Sequence, residues 1–420
     1  MKRVYLFLSI VPIIWIIGGC DGGERREIEL VKATKIDSGY EAIMASDRVN
    51  NIRSKIGLNR LITSQELEKS ASLHAQYLIA NHESSHFEIK GHKKFVGVSP
   101  LDRALYAGYI SKYVSENLST NTLTAVDSVD NLFSAIYHRF GFLSNKIDQI
   151  GVGVEQDSNS LKDVDFVYNM GNSNLVNLCK GVSMSGNGSY YNNVCKDSKF
   201  KISAKNYNEA INNLKKINPK VVIYPYRNQT GVKPVFYNED PDPLPDYEVS
   251  GIPISVEFND YYFKDIKVDS FKLFDDKNRE VTTRFMDKNS DPNSRFNKYQ
   301  FAIFPLNRLE YAKKYRAVIK YHTKKDKNKE LSWSFNTIKP KGDLIIAKGE
   351  GESIELKANS STVIYFRPKD AHDILKDLIF PSNIDVSFID NNTIRVNLDD
   401  KSDSSFEIKA GNRKINVNLR

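Results

Sequence analysis

The feature that most constrains this chain is a change of hydrophobic period partway along it. Over residues 38–145 apolar residues recur every three or four positions, as on the buried face of amphipathic helices. From residue 246 onward they come in short alternating runs separated by turn residues, the pattern of strands with one face on a core. One layer architecture does not accommodate both patterns, so the chain must divide into modules. Its 420 residues suit two to four of them.

In the helical part, Tyr40, Met44, Val49, Ile52 and Ile56 mark one helix, with Gly57 as its stop. Thr63 with Glu66 gives a capping-box pattern for a second helix, with Leu67, Ala71, His74 and Leu78 along one face. Ser99, Pro100 and Asp102 open a third that stops near Gly108, and a fourth runs from about Thr124 to Tyr137. Ile150, Val152 and Val154, followed by residues 164–168, predict strands. Helices interleaved with a few strands predict an α-β-α sandwich over residues 37–175. Residues 176–245 read as a Gly/Ser/Asn-rich loop and a Pro-rich connector. Two antiparallel β-sandwich-like modules follow, at 246–338 and 339–420, so the fold class is α+β and all-β, multidomain. In the first of these, residues 268–285, 301–319 and 331–337 resemble bacterial Ig-like domains, and that resemblance implies that Leu309, Tyr315 and Trp333 are core positions.

The N-terminus does not belong to any module. Residues 1–19 have a Lys2/Arg3 start, an apolar run from Val4 to Ile17 and two glycines, which is a secretory signal too short to span a membrane comfortably. Ile17-Gly18-Gly19-Cys20 resembles the bacterial lipobox, which implies cleavage before Cys20 and acylation of that cysteine. An ordinary signal peptide that happens to end beside a cysteine is the alternative. Residues 20–36 then read as a polar tether, and the predicted location is the cell envelope, lipid-anchored, on the periplasmic or cell-surface side. Export also explains the other two cysteines: Cys179 and Cys195 predict one disulfide, closing a loop worth roughly 3 kcal/mol in the chain-entropy model.

Lys+Arg 60 against Asp+Glu 52 gives +8, but the charge is spread along the whole chain. That excludes the concentrated basic stripe of a nucleic-acid binder. Imidazole chemistry is confined to one stretch, since His74, His82, His86, His92 and His138 fall close together. His74 sits among Leu67, Ala71 and Leu78 and reads first as a core histidine, while His82 and His92 lie in polar loop sequence and read as solvated. Asp287, Asn289 and Asp291 begin like a calcium loop, but Pro292 and Lys298 stand where a glycine and a glutamate are required.

Five ordered pieces resemble the CAP superfamily (cysteine-rich secretory proteins, antigen 5 and pathogenesis-related proteins), in its bacterial SCP-like branch. They are Asn50-x-x-Arg53 with Gly57-Leu58; Ala71-x-x-His74-Ala75-x-Tyr77-Leu78 with Asn81; His86 and Glu88 ahead of Pro100, Asp102, Arg103, Gly108 and Tyr109; Ser115-Glu116-Asn117-Leu118; and Tyr137-His138-Arg139 ahead of Ile150-Gly151-Val152-Gly153. The resemblance implies an open cleft with two histidines and two acids, in which some members bind a divalent metal such as zinc. Carried over by position, His86 and His138 are the histidines and possible metal ligands, and Glu116 is the first acid. Eukaryotic members place the second acid on the helix before the second histidine, where this chain reads NLFSAIYH without a carboxylate. Glu88 is the nearest substitute and Asp130 a weaker one. Arg139 reads as an anchor of the cleft rim or a cation at a helix C-terminus. Two functions follow: binding of a small lipid or peptide ligand, or metal-assisted hydrolysis with Glu116 or Glu88 as general base. The missing acid favours binding.

Overall fold

A computed structural model describes residues 2–5, 35–347, 351–399, 404–411 and 413–420. Cys20 and nearly all of the predicted signal and tether lie outside them. Residues Lys2–Tyr5 add antiparallel to a strand of the last module, Asp377–Phe380.

The first domain is an α-β-α sandwich. Its four-stranded sheet runs in the order Ile62–Thr63, Gln149–Gln156, Val164–Gly171, Val114–Ser119, which leaves Val114–Ser119 at an edge. Helix α1 (Ser38–Ile56) and helix α4 (Ala125–Ser134) cover one face through Ala45, Val49, Ile52, Val129 and Phe133, against Ile150, Val152, Val154, Phe166 and Tyr168. Helix α2 (Gln65–Asn81) covers the other, with Ala71, Ala75 and Leu78 on Val167. The strand period of two explains the glycines between the valines. A Cβ at Gly151 would stand 2.0 Å from the Glu68 amide nitrogen, and one at Gly153 2.2 Å from that of Ser72. Only glycine lets the α2 backbone lie directly on the strand.

The helix signals hold with one correction. Gly57 ends α1 in the left-handed conformation at φ 88°. Helix α3 (Pro100–Ala107) opens on a complete capping box between Ser99 and Asp102. The cap of α2 is Ser64, not Thr63, because Thr63 is used as a strand residue and Ser64 Oγ accepts from the Leu67 amide. The fourth predicted helix is divided: α4 stops at Ser134, and α5 (Ile136–Phe142) starts anew after Ala135.

The segment 176–245 is more ordered than its composition suggests. Cys179, near the end of helix α6 (Ser173–Lys180), is bonded to Cys195, and helix α7 (Ala204–Ile217) follows. Val221–Tyr224 and Gln229–Val232 then enter the second module as strands. That module has two sheets, ordered Thr283–Met286, Gln300–Pro305, Ile254–Phe258, Val221–Tyr224, and Glu280–Val281, Lys267–Phe274, Lys314–His322, Lys329–Thr337, Gln229–Val232. Leu309, Tyr315 and Trp333 are buried in it. Its core is continuous with that of the first domain, since Phe133 packs on Tyr224 at 5.3 Å between ring centres. The third module has a separate core around Ile364, Leu378, Ile394, Ile408 and Val417.

Candidate functional site

The edge strand Val114–Ser119 is the base of the candidate site. Glu116 shares a sheet face with Leu118, which packs on the α2 layer. There its carboxylate accepts from Arg103 Nη2, 2.9 Å from each oxygen, and faces His86 Nδ1 at 3.0 Å. Asn169, paired with Glu116 across the strands, donates to its Oε2 at 2.9 Å when its amide is oriented to satisfy Ser70 and Ala71 as well. Burial pushes the Glu116 carboxyl up, but the His86 hydrogen bond and the charges of Arg103, His74 and His86 together outweigh it, so it stays below the usual carboxylate range.

Asn117 points to the opposite face and donates to the His138 carbonyl at 2.8 Å. This fixes α5, and with it the His138 ring, which stacks on His86 with centroids 6.4 Å apart and planes 23° from parallel. His138 Nδ1 lies 2.8 Å from Glu239 Oε2, and the Glu239 side chain is only 3% exposed. The same carboxylate accepts from the amides of Ile136 (2.5 Å) and Tyr137 (3.2 Å), the first residues of α5. Ala135 offers that helix no capping side chain, so Glu239 does so from the connector.

His86, Glu116 and His138 are therefore brought together, and Glu239 supplies the second acid. Glu88 does not line the cleft: it is buried behind it, with Oε1 on His74 Nδ1 (3.0 Å) and Oε2 accepting from Val96 N (2.9 Å). Asp130 forms a two-pronged pair with Arg48, at 2.9 Å in both contacts. His74 is a fully buried core histidine whose second nitrogen meets the Ser85 carbonyl at 2.9 Å. Arg139 does not rim the cleft; it meets the C-terminal carbonyls of α4, donating to Phe133 O at 2.6 Å and to Ser134 O at 3.4 Å, the second of its two expected roles. It is fully buried at the seam with the second module, donating to Pro253 O at 2.7 Å and lying 4.5 Å from the centre of the Tyr224 ring. Glu239 carried no sequence signal of its own. The indirect signal was Ala135, which leaves the amides of a new helix without a local acceptor.

Each imidazole is oriented through Nδ1 by a buried glutamate, and among the described residues neither Nε2 has a hydrogen-bonding partner. Such a pair can accept hydrogen bonds from a ligand or contribute two nitrogens to a metal ion. Two nitrogens fall short of the three protein ligands usual for catalytic zinc. Both glutamates are already committed, Glu116 to Arg103 and His86, and Glu239 to His138 and the α5 amides.

Residues 46–170 match the family model described as CAP: Cysteine-rich secretory protein family. Solved structures similar to the chain include an extracellular protein containing an SCP domain from Bacillus anthracis, at 20% identity and TM-score 0.28, covering 32% of this chain and 41% of that one. An outer surface protein from Borrelia burgdorferi is 21% identical at TM-score 0.29, covering 33% of this chain and 97% of that one. Venom allergen-like protein 4 from Schistosoma mansoni is 11% identical at TM-score 0.23, covering 31% and 87%. The chain thus spans less than half of the Bacillus protein. No curated protein matches the chain. No helix among the described residues is long and apolar enough to cross a membrane. The α/β domain that holds His86, Glu116 and His138 is a CAP domain, matched over residues 46–170 to the cysteine-rich secretory protein family.

Proposed function

We propose that this protein is an envelope-anchored lipoprotein whose CAP cleft binds a small lipid or peptide ligand through the paired imidazoles of His86 and His138. The observation that carries this reading is the commitment of both glutamates. Glu116 and Glu239 each orient a histidine through Nδ1 while bonding other protein groups, so neither is free to take a proton from water. A glutamate acting as general base needs an accessible lone pair within hydrogen-bond reach of its proton; the accessible lone pairs in this cleft belong instead to the two Nε2 atoms, which a ligand's donors would meet. Glu88, the other acid considered as a base, is buried against His74. Two stacked rings with free Nε2 atoms suit a ligand that presents hydroxyl or amide donors, and a weakly held divalent metal would suit the same atoms.

The test is mass spectrometry of ligands that co-purify with the full-length protein, compared with a His86→Ala/His138→Ala variant. A bound lipid or peptide that disappears in the double variant supports the reading. Turnover of a peptide or phosphodiester substrate that requires stoichiometric zinc, and is lost in the same variant, would replace it with metal-assisted hydrolysis.

A further inference from the structure

A second group of metal-ligating side chains closes where α2 ends. His82 caps that helix in the left-handed conformation, φ 52°. It stands opposite Asp157 and Asp163, the two ends of the loop joining strands Gln149–Gln156 and Val164–Gly171. One ligand atom from each of the three lies within 4.8 Å of the others, and His82 Nδ1 is 3.9 Å from Asp157 Oδ2. Nitrogen and oxygen ligands about 2.0–2.2 Å from one ion stand roughly 3–4 Å from each other, so a small side-chain movement closes the set.

Asp157 gives an independent reason to expect an ion. It is 6% exposed, and its Oδ1 accepts from the Asn159 amide at 2.7 Å. Its Oδ2, aimed at His82, receives no hydrogen bond, and among the described residues no lysine or arginine pairs with Asp157 or Asp163. Buried carboxylates are otherwise found paired or coordinating a metal. His82, 72% exposed at its side chain, leaves the site open for an ion and its waters to enter.

We infer that His82, Asp157 and Asp163 form a site for a divalent first-row transition-metal ion, separate from the His86–His138 cleft. One imidazole with two carboxylates suits an ion of the zinc or manganese class, with water completing its shell. The ion ties the end of α2 to the hairpin loop. His82 opens the segment that carries His86 four residues later, so occupancy fixes the start of one wall of the cleft.

Isothermal titration of chelator-treated full-length His86→Ala/His138→Ala protein with Zn2+ alone tests this, because that background removes the cleft imidazoles. One equivalent of Zn2+ is expected, with affinity falling at least tenfold on adding either Asp163→Asn or His82→Ala, and with Ca2+ binding at least a hundredfold more weakly. His82 is exposed and Asp163 half-buried, so neither added substitution falls in the core, and circular dichroism checks that each variant is folded. The inference is overturned if the His86→Ala/His138→Ala protein binds no Zn2+, if binding is indifferent to Asp163→Asn and His82→Ala, or if Ca2+ binds as tightly as Zn2+. These outcomes are independent of whether the cleft holds a lipid or peptide.

Discussion

Glu239 and His138 lie 101 residues apart in sequence and 2.8 Å apart in space, and their contact joins the connector to the CAP cleft. Because Glu239 also accepts from the first amides of α5, one carboxylate sets both the helix and the ring it carries. Glu239→Ala is therefore expected to lower stability by about 0.5–2 kcal/mol, the usual range for a lost helix cap, and to weaken any cleft ligand by about tenfold or more. Glu239→Gln, which retains an acceptor, should recover most of the stability but not the affinity. Urea denaturation with ligand titration separates the two effects, and equal loss in both variants would contradict the dual role.

Glu257 gives a pH-dependent prediction. Burial pushes its carboxyl up to about 7, against a hydrogen bond from Gln300 and the charge of Lys146, and Oε2 makes no hydrogen bond. The folded state thus holds a proton that the unfolded chain, titrating near 4.5, has already released. Between these values the native state binds more protons, so this residue's contribution to stability falls as pH rises from about 4.5 to about 7. Glu257→Gln should melt with wild type near pH 4.5 and be more stable above pH 7, by about 3 kcal/mol. A constant difference across that window in calorimetry would contradict the assignment.

The third module is held by Arg308, which pairs with Asp390 through two contacts of 2.6 and 2.8 Å. The guanidinium also lies 4.6 Å from the centre of the Tyr365 ring and bonds Tyr237 Oη at 3.2 Å. Breaking a buried pair on one side costs about 3–5 kcal/mol. Arg308→Ala should therefore let residues 343–420 melt before the rest. Trp333, the single tryptophan beyond the signal segment, reports the second module and should lag behind the circular dichroism signal. Coincident transitions at the wild-type temperature would show that the pair does not couple the modules.

The proposed lipid anchor rests on Cys20. Cys20→Ser in the native host is expected to move the protein from the membrane to the soluble fraction, read by fractionation and blotting. Continued membrane association would refute acylation at that residue.

The resemblance read from ordered residues placed His86, Glu116 and His138, because each belongs to a local motif. Glu116 sits in a strand segment, His138 near the start of a short helix and His86 in the loop after α2. Sequence did not place Glu239, since it acts across a long separation from an irregular segment and meets a helix that lacks its own cap. Glu88 was misread because closeness in sequence says nothing about depth. Two residues from His86, it turns inward to His74 and the amides of Val96 and Gly97. Arg139 was half legible: its bonds to the α4 carbonyls of Phe133 and Ser134 are local, whereas Pro253 and Ser255, which bury it, lie in another module.

By itself the sequence determined what depends on near neighbours. Its periodicity separated helices from strands, its caps stopped α1 and opened α3, and Gly151 and Gly153 removed the side chains that would keep α2 off the sheet. Tertiary structure alone decided which acid orients His138, which arginine is buried at a seam, and that residues 221–232 enter the sandwich as strands. The physical reason is that periodicity and capping act within a few residues, whereas a buried charge is satisfied by whatever the fold brings next to it.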